Sequence, residues 1–105
     1  MSYKIILLPS AKTSLIDVGV YISQTLGEPV TASKYADEIE KAIKSLSDFP
    51  KRVKLVDDVN LGALGVRRLI VNSFFVYYTV YDESKTVYVN DIIYSRADRI
   101  PKIEK

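Results

Sequence analysis

The order of hydrophobic periods along the 105 residues predicts an α+β fold in a single domain, residues 1–105. Three observations carry this. Apolar residues recur at helical spacing up to about position 48, and the period changes near Pro50. Beyond it come segments rich in Val, Ile, Tyr and Phe, as strands are, separated by short turn-forming stretches. The expected arrangement is an N-terminal strand, a helical hairpin and then a three-stranded antiparallel meander. The helices would pack on one face of a mainly antiparallel, twisted sheet.

Taken in order, residues 3–8 form a short apolar run stopped by Pro9, which reads as a mostly buried strand. Ser10 suits a helix N-cap, where a hydroxyl accepts from a free first-turn N–H. Ala11, Leu15, Val18, Ile22 and Leu26 then follow at spacings of three and four, predicting a helix over 11–26. Gly27 is placed for a left-handed residue beyond a helix end. Pro29 fits a first turn, and Ala32, Tyr35, Ile39, Ala42, Ile43 and Leu46 make the stripe of a second helix over 30–48. Strands are expected over 66–71, 74–81 and 86–94, with turns at Asn72-Ser73 and at Asp82 to Lys85. A turn at Asn72-Ser73 pairs Val71 with Phe74, Leu69 with Val76 and Arg67 with Tyr78 on one face. On the other it pairs Ile70 with Phe75, Arg68 with Tyr77 and Val66 with Thr79.

Composition removes several chemistries. The chain has no Cys, so disulfides, thiolate nucleophiles and thiolate zinc sites are excluded. It has no His, so imidazole catalysis and most transition-metal sites go as well; no metal or cofactor is expected. No uncharged apolar run approaches the roughly 18 residues that would span a bilayer. The opening residues lack the features of a secretory signal, so a cytoplasmic location is expected.

The net charge is +2, too weak by itself to announce nucleic-acid binding, but the surplus is concentrated. Residues 49–68 carry Lys51, Arg52, Lys54, Arg67 and Arg68 against Asp57 and Asp58. Residues 94–105 carry Arg96, Arg99, Lys102 and Lys105 against Asp98 and Glu104. An arginine opposite a tyrosine is either a surface cation–π pair or the lining of a sheet surface where a phosphate or an acidic partner docks. The aromatics within 74–81 are read first as core, although aromatic and basic interleaving also suits a base-stacking platform.

Several segments carry a family likeness. Leu8-Pro9-Ser10-Ala11-Lys12 leads into an amphipathic helix, Ser45-Leu46 and Phe49-Pro50 close the next one, and Gly65-Val66-Arg67-Arg68-Leu69 opens a strand. Val76-Tyr77-Tyr78 lies in the following strand, and Ile93-Tyr94-Ser95-Arg96-Ala97-Asp98 ends the last. Their order and spacing resemble the RelE/ParE superfamily of bacterial toxins from type II toxin–antitoxin modules, often called plasmid stabilisation proteins. The resemblance covers nearly the whole chain and implies the same α+β fold. It implies a cognate antitoxin whose disordered segment folds across the toxin, in a complex that could be a heterotetramer, with a toxin homodimer as the other assembly.

It also implies two activities, between which a fold does not choose. RelE-like members are ribosome-dependent endoribonucleases acting on mRNA; ParE-like members bind DNA gyrase and block it without hydrolysing anything. A toxin fold that has lost activity and only binds antitoxin is a third alternative. RNA cleavage by the 2′-hydroxyl needs a base, cations on the pentavalent phosphate and an acid for the leaving oxygen. For that chemistry the family motifs reach Arg67, Arg96 and Tyr94 as catalytic candidates. Lys51, Arg52, Lys54, Arg68 and Arg99 follow as substrate- or partner-binding candidates. Two positions depart from the pattern: Phe75 stands where members often carry Arg, and Tyr94 where some nucleases place His. In the family fold the two basic blocks are expected to converge on one patch, so Arg67→Ala or Arg96→Ala should abolish growth inhibition and leave the fold intact. The segment from Arg99 to Lys105 is the alternative contact element for a protein target.

Overall fold

The computed structural model describes residues 2–105. Strand β1 (Lys4–Leu7) is followed by helix α1 (Pro9–Val20), which continues into a π-helical turn, Tyr21–Thr25. Helix α2 (Pro29–Ser45) and the short helix α3 (Val59–Ala63) precede the meander of β2 (Val66–Val71), β3 (Phe74–Tyr81) and β4 (Thr86–Tyr94). The sheet order is β1-β4-β3-β2, with β1 parallel to β4 and the other pairs antiparallel. The α+β expectation holds, with all four strands in place.

The β2–β3 register is the expected one throughout, from Val71 opposite Phe74 to Val66 opposite Thr79. The turn works because Asn72 adopts φ 54°, a conformation that Asn tolerates better than most residues. The β3–β4 ladder is less regular. Tyr77 faces Asp91 and Tyr78 faces Val89, so Asn90 is an extra, bulged residue.

Helix starts and ends differ from the sequence reading for physical reasons. α1 begins at Pro9, whose fixed φ suits the first turn, so Leu8 takes the N-cap position and makes no side-chain cap bond. Ser10 therefore lies inside the helix. At the other end the chain widens into the π-helical turn. Ile22 is buried, but Leu26 is 51% exposed, because the wider turn breaks the 3.6-residue period that placed it on the core stripe. α2 stops at Ser45, and α3 is an addition, capped by the Asp58 carboxylate accepting from the Leu61 N–H at 2.9 Å.

The main core lies between the helical hairpin and one sheet face. Ala11, Ile22, Ala32, Ile39, Ile43 and Leu46 meet Phe74, Val76, Tyr78, Val87, Val89 and Ile92 there. The opposite face carries a smaller cluster of Val66, Tyr77 and Ile93, covered by Leu61 of α3 and by Ile103. Residues 98–105 have no regular secondary structure, yet they lie against the protein through several hydrogen bonds. No helix among the described residues is long and apolar enough to cross a membrane.

Candidate functional site

Most of the basic side chains singled out in the sequence make contacts within the fold. Arg52 closes the end of α2: its Nη2 donates to the Ser45 carbonyl at 2.5 Å, Nη1 to Ser45 Oγ at 3.0 Å and Nε to the Phe49 carbonyl at 2.9 Å. A cation there also opposes the negative end of the helix dipole. Lys51 pairs with Asp82 at 2.5 Å, and the Tyr3 hydroxyl donates to the same carboxylate at 3.0 Å. These two hydrogen bonds hold the Asp82 carboxyl below the usual carboxylate range. Lys54 pairs with Asp57 at 3.1 Å, both exposed.

Arg67 is half-buried and donates from Nη1 to the Val53 carbonyl at 2.5 Å, tying the loop after α2 to β2. Beside it the buried Tyr78 hydroxyl donates to the Pro50 carbonyl at 2.7 Å. Burial pushes that phenol up, against the opposing pull of Arg67 and Arg52. Arg68, on the other face, stacks over Phe75 with its guanidinium carbon 4.6 Å from the ring centre, rather than over its cross-strand partner Tyr77. Arg99 forms a forked pair with the fully buried Asp91, at 2.7 and 2.9 Å. Among the described residues Arg96 is the one arginine with no hydrogen bond, ion pair or ring contact.

The candidates fall into two groups. Arg67 is opposite Tyr78, Tyr78 is opposite Val89, and Tyr94 lies five residues farther along β4. At about 3.3 Å per residue the offset is roughly 16 Å along the strand, before the two interstrand steps are added. Lys51, Arg52 and Arg67 belong to one end of the sheet, whereas Tyr94 and Arg96 belong to the other. The expected convergence into one patch is absent from the geometry.

At the second end lies a groove of about 780 Å³ between the helical hairpin and the end of β4. Its floor is apolar. Phe74 lies between Tyr35 and Tyr94, with ring centres 5.6 and 5.5 Å away, and Ile22 and Ile92 complete the base. The π-helical turn supplies the half-exposed Tyr21, and Leu26 follows it on the same wall. The rim is charged, with Asp17 and Glu28 on the helical side and Arg96 on the other. An apolar trough with unlike charges on its two edges suits an amphipathic protein segment, anchored by aromatic and aliphatic side chains and oriented by ion pairs. The sequence pattern assigns Ile22, Leu26 and Tyr35 to core stripes and leaves Tyr21 out; of the groove's lining it singles out Tyr94, Arg96 and Arg99. No group of His, Cys, Asp or Glu able to hold a metal occurs among the described residues.

Comparison with known proteins gives a family match. The family model described as the ParE toxin of the type II toxin–antitoxin system, parDE, matches residues 5–99. No curated protein matches. Among solved structures, the chromosomal ParDE system of P. aeruginosa is similar with a TM-score of 0.71 at 18% identity, covering 87% of this chain and 94% of that one. The toxin–antitoxin complex RelBE2 of Mycobacterium tuberculosis gives 0.64 at 20% identity, covering 90% and 99%. A mutant of E. coli toxin RelE in the free state gives 0.65 at 15% identity, covering 93% and 88%. At these identities the structural likeness speaks for the fold.

Proposed function

This chain belongs to the ParE toxin family of type II toxin–antitoxin systems, and we propose that it arrests growth by binding DNA gyrase rather than by cutting RNA. The observation that carries this reading is the separation of the candidate side chains. Transesterification of RNA needs a base, a phosphate clamp and an acid around one phosphorus. Here Arg52 and Arg67 are engaged with backbone carbonyls, and Tyr94 with Arg96 stands at the far end of the sheet. What the second end offers is a docking groove with one unpaired arginine. A protein partner needs nothing more. A cognate antitoxin segment that lies over the same groove would block this contact by occupying it.

The test is direct. Purified chain added to gyrase and relaxed plasmid is expected to prevent supercoiling, while mRNA in a translating extract stays intact. Rapid, translation-dependent mRNA cleavage with unimpaired supercoiling would overturn the reading in favour of the ribonuclease mechanism.

The same reading separates the two basic groups by mutation. Arg52→Ala removes the closing contacts of α2 and is expected to cost about 1–2 kcal/mol of stability, with growth inhibition retained. Thermal melting together with a plating assay checks both halves of that statement.

A further inference from the structure

Asn90 and Asp91 are polar, consecutive and fully buried in a strand whose neighbours are apolar. The bulge that displaces Asn90 from the ladder directs both toward the final segment of the sequence. Asp91 Oδ2 accepts from Arg99 Nη1 at 2.7 Å and from the Lys102 N–H at 2.8 Å; Oδ1 accepts from Arg99 Nη2 at 2.9 Å and from Ser14 Oγ at 2.7 Å. Asn90 Oδ1 accepts from the Glu104 and Lys105 N–H groups at 2.9 and 3.0 Å. Glu104 in turn reaches the open start of α1, where its carboxylate accepts from the Ser10 hydroxyl at 2.8 Å and the Ser10 N–H at 3.3 Å. That helix has no cap of its own, so a residue 94 positions away supplies one.

Along this segment the exposed Ile100 and Lys102 alternate with the half-buried Pro101 and Ile103. Its attachment is mostly polar and runs through side chains, without ladder hydrogen bonds, and Ile103 is its member of the smaller apolar cluster. Segments with few buried apolar contacts open at lower free energy than the core. The segment also begins at the groove: Arg96, Ala97 and Arg99 form part of its lining, as does Ser14, which Arg99 Nη2 contacts at 3.0 Å.

We propose that residues 96–105 form a strap that docks and releases as a local unit separate from the sheet. Asn90, Asp91 and Glu104 are its positioning residues, and through it they set one wall of the groove. Asn90, Asp91 and Glu104 do not line the groove themselves. The consequence for growth inhibition rests on the groove reading given above.

Amide hydrogen exchange on the full chain tests the strap without reference to any partner. The Lys102, Glu104 and Lys105 amides are expected to exchange about tenfold or more faster than the β3–β4 ladder amides, yet slower than a free chain. Glu104→Ala, at the surface, and Asp91→Asn, which keeps the side-chain volume, should each accelerate those three amides about tenfold further, so that they still exchange well ahead of the ladder. Glu104→Gln retains an acceptor for Ser10 and should keep the protection. Exchange of strap and ladder amides at one common rate, in the parent or in both variants, would overturn the proposal of a separate unit. Growth inhibition that persists in Glu104→Ala after exchange shows the strap released would overturn its role in shaping the groove. Failure of the parent chain to inhibit gyrase would instead sink the functional reading and leave the exchange result to decide the strap.

Discussion

Arg96→Glu is expected to abolish growth inhibition while leaving the chain folded. Arg96 is exposed and makes no hydrogen bond, ion pair or ring contact within the protein, so its replacement removes no native polar interaction. Exposed substitutions of this kind usually change stability by less than about 0.5 kcal/mol, which for a chain of this size shifts melting by no more than about 4 °C. The effect on a docked protein is different in scale. Truncating an arginine that the partner fully desolvates commonly costs about 2–4 kcal/mol, or roughly 30- to 1000-fold in affinity. Reversing its charge adds repulsion from any acidic group that the arginine would have met. Arg96→Glu would also set a third carboxylate beside Asp17 and Glu28 and erase the unlike charge across the groove. Growth curves after induction, with circular dichroism of the purified variant, check the two halves. Full toxicity in a folded Arg96→Glu chain would remove the groove from consideration, and the exposed side of residues 99–105 would become the next surface to test.

Arg67 illustrates what the sequence could and could not say. Its strand, its register and its partner Tyr78 were all legible, because period-2 alternation and the Asn72-Ser73 turn leave one pairing that buries the apolar face. Its engagement was not legible. A half-buried arginine that satisfies a loop carbonyl looks, in sequence, the same as one aimed at a phosphate, since the loop path from Pro50 to Gly65 decides between them. That path depends on α3, a five-residue helix whose sole local signal is Asp58 as a cap. The groove was hidden for a related reason. A helical period assigned Leu26 to the core, and the π-helical turn that moves it to the groove wall has no compositional signature. Asn90-Asp91 did leave a trace, as two adjacent polar residues inside an otherwise apolar strand, but what they hold lies eight to fifteen residues ahead in the chain. Resemblance to a toxin family supplied the broad identity, whereas the state of each cation depends on the folded path of the loops around it.

Arg99→Ala is expected to be the most destabilising exposed-residue change in the chain, and to invert the pH dependence of its stability. Asp91 is fully buried, and its carboxylate is kept ionised by what surrounds it. Burial by itself pushes the carboxyl up, but hydrogen bonds from Arg99, the Lys102 N–H and Ser14 outweigh it and hold the group below the usual carboxylate range. A carboxyl whose folded pKa is depressed contributes stability that is complete above its unfolded value of about 3.9 and is lost as the pH falls through the folded value. Removing Arg99 leaves the carboxylate buried with its cation gone; breaking a fully buried pair costs about 3–5 kcal/mol, and with the arginine side chain 40% exposed about 2–3 is expected here, against a total near 5–15. Desolvation is then opposed only by the remaining neutral donors, the Lys102 and Ile92 N–H groups and the Ser14 hydroxyl, and the folded pKa rises. A raised carboxyl pKa has the opposite signature: the penalty is full at neutral pH and shrinks as the group protonates on acidification. The stability gap between parent and variant, measured by urea unfolding, should therefore be widest near pH 7 and narrow steadily toward pH 4. Asp91→Asn gives the control, since the arginine side chain is 40% exposed and can turn to water. Its cost should be smaller and flat down to pH 5. A gap for Arg99→Ala that stays constant from pH 7 to pH 4 would mean that Asp91 is not held as a buried carboxylate by this pair.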